Sequence, residues 1–264
     1  RAVAELIPQV AAARRSTQPA AKLTVALQCG GSDAWSGITC NPALGAASDL
    51  LIRHGGTGVL AETPEIYGAE HLLTRRAVSP EVAGKLLERI AWWKEHTARH
   101  GFSIDNNPAP GNKAGGLTTI FEKSLGAVAK AGTAPLSAVV DYAEPVRGPG
   151  LVHMDTPGYD PVGATGQVAG GCNLIAFTTG RGSCFAFKPA PVLKIASNTA
   201  MYQRLEPDMD VNAGVIADGA STVAEVGAAI FARLLTLANG EASKSEAQDL
   251  GTEEIVPWIL GCTM

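Results

Sequence analysis

The sequence predicts an α/β fold, with a mostly parallel sheet that carries helices on both faces in the manner of Rossmann-like proteins. Short apolar runs rich in β-branched residues alternate with segments of helical periodicity. Two of the apolar runs end in polar, glycine-rich turns, as buried parallel strands do. The chain has 264 residues, of which 46% are hydrophobic, so it is long enough to bury a large core.

Strands and helices are predicted to alternate along most of the chain, which implies right-handed crossovers between parallel neighbours. An alanine-rich amphipathic helix is predicted ahead of the first strand, over Arg1–Thr17. The predicted strands are Leu23–Gln28, Gly58–Ala61, Ala138–Tyr142, Leu151–Met154, Leu174–Thr178 and Val192–Ala196. The other predicted helices are Pro42–Arg53, Glu65–Thr74, Pro80–Arg99, Gly116–Ala131, Val162–Ala169 and Thr222–Ala238.

A soft domain boundary is predicted near residue 135. It gives a first α/β subdomain over residues 1–135 with the N-terminal helix, and a second over 136–264 with the C-terminal helix and a tail. The long loops at 101–116 and 142–161 are rich in Pro, Gly, Asn and Asp. Each of them is predicted to be a domain boundary or a substrate-binding loop. The tail is charged and then apolar at Ile255–Leu260, so it packs back on the domain or mediates association into a homo-oligomer.

Composition excludes several classes of protein. The formal net charge is −4 and the 21 lysines and arginines are scattered, which argues against nucleic-acid or anionic-membrane binding. No apolar run reaches the roughly 18 residues of a membrane span, and the start of the chain lacks the features of a signal peptide. We therefore expect a cytoplasmic, soluble protein.

The chain has five cysteines, an odd number without zinc-finger spacing, which favours reduced thiols over a disulfide framework. Cys40, Cys172, Cys184 and Cys262 are predicted to be small buried hydrophobic residues. Cys29 differs because it closes a strand at a polar turn, where it either lines a site or ligates a metal, with a small buried hydrophobic residue as the alternative.

The first polar turn runs from Cys29 to Pro42 and contains two consecutive glycines. Asn41 is predicted to cap the following helix, with Pro42 at its first position. The positive end of that helix would point at the turn, where an anion could bind. The polar residues expected to bind substrate here are Ser32, Asp33, Ser36, Thr39 and Asn41.

The second polar loop is Thr178–Ser183, in which Gly180 and Gly182 bracket Arg181. Arg181 is predicted to bind a substrate carboxylate through both ends of its guanidinium group, with a solvated loop arginine as the alternative. Thr178, Thr179 and Ser183 would bind substrate hydroxyls. Because both polar loops follow parallel strands, we expect them to face one cleft.

Six separated motifs give the chain a resemblance to the altronate dehydratase/galactarate dehydratase family of sugar-acid dehydratases, which also includes a sulfolactate sulfo-lyase subunit. The resemblance runs from about Lys22 to Gly219 and corresponds to the large C-terminal region of that family. The motifs are Cys29-Gly-Gly-Ser-Asp, Asn41-Pro42, Ala61-Glu-Thr-Pro-Glu65, Pro110-Gly-Asn-Lys with Gly115-Gly116, Phe177-Thr-Thr-Gly-Arg-Gly-Ser183 and Asp208-Met-Asp210.

The resemblance implies a divalent metal, Fe²⁺ or Mn²⁺, and a sugar-acid substrate. It also implies a small β-rich domain, in the same chain or as a separate subunit. No segment here matches that domain, and the chain begins with Arg1 rather than Met, so we expect a fragment that folds but has little activity alone.

Dehydration of a sugar acid requires loss of a proton next to the carboxylate and expulsion of the β-hydroxyl group, which needs an electrophile, a base and an acid. Cys29, Glu62 and Asp155 are the candidate metal ligands, of which Glu62 follows a strand most directly. The catalytic candidates are Glu62, His153 and Lys113; the base is left open, and Lys194 or a metal-bound hydroxide also qualifies.

Three functions therefore compete. The leading one is a hydro-lyase domain acting on altronate or galactarate. A sulfolactate sulfo-lyase large subunit would use the same activated carbanion to expel sulfite. A non-catalytic module that binds sugar acids or other anions through glycine-rich turns is the third.

Overall fold

A computed structural model describes residues 2–259, 261 and 263. Its centre is a seven-stranded sheet in the order β3-β4-β2-β1-β5-β6-β7, and every paired strand is parallel to its neighbour. The strands are β1 (Thr24–Cys29), β2 (Thr57–Leu60), β3 (Leu136–Val140), β4 (Gly150–Met154), β5 (Leu174–Thr179), β6 (Val192–Ala196) and β7 (Val211–Asn212). The predicted α/β class and parallel sheet are confirmed.

Helices connect the strands and cover both faces of the sheet. They are α1 (Ala2–Ala12), α2 (Cys40–Arg53), α3 (His71–Thr74), α4 (Pro80–Arg99), α5 (Pro110–Ala114), α6 (Ile120–Ala129), α7 (Asp160–Ala169), α8 (Thr199–Arg204), α9 (Val223–Ala238) and α10 (Lys244–Ala247). Short 3₁₀ turns lie at Ala20–Lys22, Thr63–Ile66 and Gly214–Ile216.

The two faces of the sheet bury different side chains, because successive residues of a strand point to opposite sides. Val25 and Leu27 of β1 join a core with residues of α2, α4 and α9. Ala26 of β1 lies on the other face, in a core that includes Ala164 of α7. The alternation places Cys29 on the face of Val25 and Leu27, beneath α2 and α6.

Close packing of α2 against its neighbours depends on glycine. A Cβ atom at Gly45 would lie 2.2 Å from the carbonyl oxygen of Ala129 in α6. A Cβ atom at Gly227 of α9 would lie 2.6 Å from Ala46 Cβ. Both distances are far below contact, so the helices could not approach this closely with any larger residue.

Several predicted boundaries were wrong. The helix predicted over Glu65–Thr74 is a 3₁₀ turn and the short α3, separated by Gly68 at a φ of 86°. The short elements β7, α5, α8 and α10 were not predicted, since two to six residues carry too little periodicity. The helix expected over Gly116–Ala131 begins only at Ile120, after the Thr119 cap.

The predicted boundary near residue 135 does not separate two sheets. Strands β1 and β2, from the first half of the chain, lie in the middle of the sheet between strands of the second half. The prediction of two subdomains is therefore not confirmed.

The ends of the chain differ from each other. Every described residue of α1 is exposed, and Arg1 lies outside the described residues. The tail packs back on the domain, since the Trp258 ring stacks on Trp93 with centroids 5.5 Å apart and the backbone N–H of Trp258 donates to the Tyr142 hydroxyl group. Leu260, at the end of the predicted apolar tail segment, lies outside the described part.

The prediction of four small buried cysteines was partly correct. Cys40 and Cys172 are buried, as predicted, whereas Cys184 is exposed, so the prediction for Cys184 was wrong. Cys262 lies outside the described residues. Within residues 2–259, 261 and 263, each helix is either too short or too polar to cross a bilayer.

Candidate active site

Three buried donor groups converge at the carboxyl edge of the sheet, where the ends of parallel strands meet. Cys29 ends β1, Glu62 follows β2, and Glu65 lies in the 3₁₀ turn that comes next. One ligand atom from each residue lies within 4.8 Å of the other two. Cys29 Sγ is 3.9 Å from Glu62 Oε2 and 3.8 Å from Glu65 Oε2. We call these three residues the acidic cluster.

The backbone at Glu62 adopts an unusual conformation. Its φ of 67° and ψ of 64° lie in the left-handed region, which residues other than glycine rarely adopt. The Glu62 N–H donates to Thr156 Oγ1 at 2.9 Å, and the Thr63 N–H donates to Thr156 O at 3.0 Å. Such strain is characteristic of functional sites, where the surrounding structure holds a side chain in place.

Two lysines neutralise part of the acidic cluster. Lys123 lies in α6, and Lys130 caps the C-terminal end of that helix. They are seven positions apart and so lie on the same side of the helix, two turns from each other. Lys130 Nζ is 2.9 Å from Cys29 Sγ and 3.4 Å from Glu62 Oε2. Lys123 Nζ is 2.6 Å from Glu65 Oε1 and donates to Asn107 Oδ1 at 2.9 Å.

Burial raises the pKa values of three acidic groups at the site. Burial, together with the charge of Glu65, raises the pKa of Glu62 to about 8 despite Lys130. Burial and Glu65 also raise the pKa of Asp160 to about 7. Burial raises the pKa of Cys29 to about 12, so its thiol is neutral unless a cation binds.

The cluster fits a divalent metal ion. Glu62 Oε1 is buried and has no hydrogen-bond partner among the described residues, so it remains free to bind a ligand. Carboxylates suit Mn²⁺ and Mg²⁺, and a thiolate extends the choice to Fe²⁺ or Zn²⁺. A bound dication would also oppose the raised pKa values of Glu62 and Cys29.

A separate network holds two residues that were predicted to take part in chemistry. Asp155 accepts hydrogen bonds from Thr63 Oγ1 at 2.6 Å and from Trp93 Nε1 at 2.8 Å. His153 Nε2 is 3.0 Å from Thr63 Oγ1, and because the Thr63 hydrogen goes to Asp155, we assign the proton of the ring to Nε2. Burial and Lys130 lower the pKa of His153 to about 3, so the ring is neutral.

The two polar loops meet, as predicted. The carbonyl oxygen of Gly31 accepts from the N–H groups of Gly180 and Arg181, both at 3.1 Å. Asp33 connects the first loop to the end of β6, since Oδ1 accepts from Ser197 Oγ at 2.8 Å and Oδ2 from Asn198 Nδ2 at 3.0 Å.

Most predicted substrate-binding side chains in these loops make framework contacts. Asn41 is not the cap of α2, because the helix begins at Cys40 after Thr39. Its Oδ1 accepts from Thr178 Oγ1 at 2.7 Å and its Nδ2 donates to Gly126 O at 2.9 Å.

Four further hydroxyl groups of these loops are similarly engaged. Thr39 Oγ1 lies 2.7 Å from the Ser197 carbonyl oxygen, and Ser36 Oγ donates to Asp33 at 2.8 Å. Thr179 Oγ1 accepts from the Gly182 N–H at 3.1 Å, and Ser183 Oγ accepts from Phe185 at 3.0 Å.

Two clefts open on either side of Asp33. The first, of about 240 Å³, lies between the polar turn and α6, and its polar lining is Ser32, Asp33, Ser36, Asn41, Glu122 and Lys123. The second, of about 310 Å³, contains Arg181 and Arg204. Arg181 is exposed and donates to the Gly111 carbonyl oxygen at 2.9 Å. Lys113, on α5, is exposed and lines neither cleft.

Sequence reasoning missed the two lysines of the site. Lys123 and Lys130 are four residues before and three residues after Ala127, which is buried, so all three lie on one face of α6. A helical projection of the sequence would have shown two charged residues on this apolar face. Asp160 and Asn107 gave no comparable signal, because they reach the site from loops or helix ends far away in the sequence.

Comparison with known proteins identifies the family. The family described as D-galactarate/altronate dehydratase, C-terminal, matches residues 20–263. The chain belongs to this family. Helix α1 lies before the matched region, whereas both polar loops, the acidic cluster and α6 lie within it. The resemblance found in the sequence motifs is thus confirmed.

Relatives within the dehydratase family carry three activities in their names. The chain is 45% identical over 231 residues to galactarate dehydratase (L-threo-forming) of Escherichia coli K12, which covers 86% of the chain and 44% of the relative. It is 42% identical over 205 residues to altronate dehydratase of Bacillus subtilis 168, covering 78% and 41%. It is 32% identical over 259 residues to (2R)-sulfolactate sulfo-lyase subunit beta of Chromohalobacter salexigens, covering 97% and 66%. The chain therefore spans less than half the length of the two dehydratases.

Proposed function

We propose that this chain carries the metal-binding catalytic core of a sugar-acid dehydratase that acts on galactarate or altronate. The observation that carries the proposal is the acidic cluster, which lies at the carboxyl edge of the sheet in a family whose named relatives include galactarate and altronate dehydratases. The overall reaction removes one proton from the α-carbon and the hydroxyl group from the β-carbon, which leave together as water.

Cys29, Glu62 and Glu65 would hold the metal, which we propose to be Fe²⁺ or Mn²⁺. When bound, such an ion acts as a Lewis acid that stabilises the charge developing on the substrate carboxylate. Glu65 takes the place that we expected for Asp155, because the Asp155 oxygen is already engaged by Thr63 and Trp93. A cytoplasmic location would keep Cys29 reduced and available.

The protein residues around the cluster exclude water and fix the ligands. Lys130 has a side chain only 1% exposed and holds Glu62 Oε2, which leaves Oε1 free. His153 has a positioning role in this proposal, because its neutral ring supports Thr63 beside Glu62. Lys113, which is exposed and lines neither of the two clefts, is assigned no role in this proposal.

The test of the metal site is Mn²⁺ binding to the chain, measured by electron paramagnetic resonance. We expect Glu62→Gln and Glu65→Gln each to weaken binding at least about 10-fold, by the loss of one ligand charge. Glu88→Gln, which changes an exposed carboxylate on α4, is the matched control. Equal Mn²⁺ affinity in all four proteins would overturn the proposed site.

The test of the reaction is formation of a 2-oxo acid from galactarate or altronate, with the small β-rich domain of a relative supplied. We expect turnover that is lost in Glu62→Gln. A chain that binds Mn²⁺ but gives no product in the reconstituted protein would support the alternative of a non-catalytic sugar-acid module.

A sulfo-lyase is the second candidate, favoured by the relative from Chromohalobacter salexigens, which matches 97% of the chain. The same α-proton would be removed, but sulfite instead of hydroxide would leave the β-carbon. Release of sulfite from sulfolactate, without product from galactarate or altronate, would decide for this reaction.

A further inference from the structure

The two clefts beside Asp33 are lined by different cationic side chains that could bind an acidic substrate. Among these side chains, Lys123 is the one with a hydrogen bond to a described residue of the acidic cluster. Lys123 lines the cleft of about 240 Å³ and contacts Glu65 at 2.6 Å. Arg181 lines the other cleft, and the lining of neither cleft includes Cys29, Glu62 or Glu65 themselves. Lys130 contacts the cluster but lines neither cleft.

Lys123 has one hydrogen to spare. An ammonium group carries three donors, and the described residues provide two acceptors, Glu65 Oε1 at 2.6 Å and Asn107 Oδ1 at 2.9 Å. The side chain is only 7% exposed, so water competes little for the third hydrogen. A charge-assisted hydrogen bond in such a setting is stronger than one at the surface.

Two further donors line the same cleft without a partner in the described part of the chain. Ser32 is buried, and its hydroxyl group makes no hydrogen bond there. The Asn41 amide uses one of its two hydrogens, on Gly126 O, and keeps the other. Lys123, Ser32 and Asn41 thus offer three unused donors, a set that matches the two oxygens of a carboxylate.

The acidic groups that line this cleft are already satisfied. Asp33 accepts from Ser36, Ser197 and Asn198. Glu122 accepts from the N–H and hydroxyl groups of Thr118 at 2.8 and 2.6 Å. Neither carboxylate therefore competes for the third hydrogen of Lys123, which remains available to an anion.

We propose that Lys123, with Ser32 and Asn41, binds the carboxylate of the substrate beside the acidic cluster, in place of Arg181. This inference rests on the proposed function for the identity of the ligand as a hydroxy acid. A cleft of about 240 Å³ is smaller than the usual range for drug-sized ligands, so it suits a small acid and excludes a nucleotide.

The experiment measures binding of tartronate by calorimetry in the presence of saturating Mn²⁺. Tartronate carries two carboxylates on one hydroxyl-bearing carbon and has no β-hydroxyl group to expel, so no elimination disturbs the measurement. We expect Lys123→Met to weaken binding at least about 10-fold and Ser32→Ala about 3-fold or more. Lys22→Met, an exposed charge at the amino end of β1, is the matched control and should bind normally.

Ser32→Ala keeps the experiment decisive if Lys123→Met fails to fold, since Ser32 has no hydrogen-bond partner to lose through its hydroxyl group. Normal tartronate affinity in Ser32→Ala and in any folded Lys123→Met protein would overturn the inference. A loss confined to Arg181→Lys would place the carboxylate in the second cleft and overturn it as well, as would absence of binding to the unsubstituted chain. If the unsubstituted chain binds no Mn²⁺ but still binds tartronate, and Lys123→Met weakens that binding, the proposed function is refuted and this inference is not.

Discussion

Replacement of His153 by glutamine should remove a large part of the acid sensitivity of the fold. The His153 ring is fully buried, and burial with the nearby Lys130 lowers its pKa to about 3. In the unfolded chain the ring has an ordinary pKa near 6.5. Between these two values the unfolded state binds one more proton than the folded state, so the free energy of unfolding falls as the pH falls.

The magnitude follows from the two pKa values. From pH 7 to pH 5 the protonation of unfolded His153 lowers the free energy of unfolding by about 2 kcal/mol, since each pH unit below 6.5 contributes about 1.4 kcal/mol. Glutamine cannot titrate, and its amide can still donate to Thr63. Glu62 and Asp160, whose raised pKa values act in the opposite sense, are present in both proteins and cancel in the comparison.

The assay is urea unfolding of the chain and of His153→Gln at pH 7, 6 and 5, with EDTA present. The difference in free energy of unfolding should move by about 2 kcal/mol in favour of the variant between pH 7 and pH 5. His71→Gln, an exposed histidine of α3, is the control and should follow the unsubstituted chain. A difference that stays constant with pH would show that His153 titrates normally in the folded protein and would refute the reasoning.

Other predictions concern packing and the metal. Gly45→Ala should lower the free energy of unfolding by about 1–3 kcal/mol, because its Cβ would lie 2.2 Å from the Ala129 carbonyl oxygen and push α6 away from α2. Gly84→Ala in α4, where a Cβ meets nothing within 4 Å, should instead raise it by up to about 1 kcal/mol, and chemical denaturation distinguishes the two signs. Removal of metal by EDTA should lower the melting temperature of the Mn²⁺-loaded chain. When free Mn²⁺ is at 100 times its Kd, the lost stabilisation amounts to about 2.7 kcal/mol in the free energy of unfolding. The melting temperature of Glu62→Gln should respond less, since 10-fold weaker binding leaves about 1.4 kcal/mol of stabilisation or less at the same Mn²⁺ concentration; an equal response in both proteins would contradict the site.

The parallel sheet was predictable because its strands carry strong local signals. Buried parallel strands are continuous apolar runs, and β1, β4, β5 and β6 stand out from the polar turns that follow them. The meeting of the two polar loops also followed, since parallel strands end at one edge. The strand order was not predictable, because a division into two halves gives no hint that β1 and β2 pair with strands of the second half.

The candidate site was predictable only where a residue follows a strand. Cys29 and Glu62 satisfy that rule, and the structure brings them together with Glu65. The charges that neutralise them come from α6, which reaches the edge of the sheet only because Gly45 lets α2 and α6 approach closely. Lys123 and Lys130 look like ordinary surface lysines in a list of residues, and their burial is a property of helix packing.

Arg181 and Lys123 differ in how strongly the sequence marks them as residues that bind the substrate carboxylate. A guanidinium group flanked by glycines after a strand is a strong local signal for an anion site, yet the exposed Arg181 makes its described side-chain hydrogen bond to the Gly111 carbonyl oxygen. Lys123 gives no local signal, yet it is nearly buried and contacts Glu65. Because an electrostatic interaction is worth more where water is excluded, burial beside the acidic cluster outweighs the geometric advantage of arginine. The tartronate affinities of Lys123→Met and Arg181→Lys therefore decide which cation binds the substrate: the buried lysine that only the fold reveals, or the arginine that the sequence motif predicts.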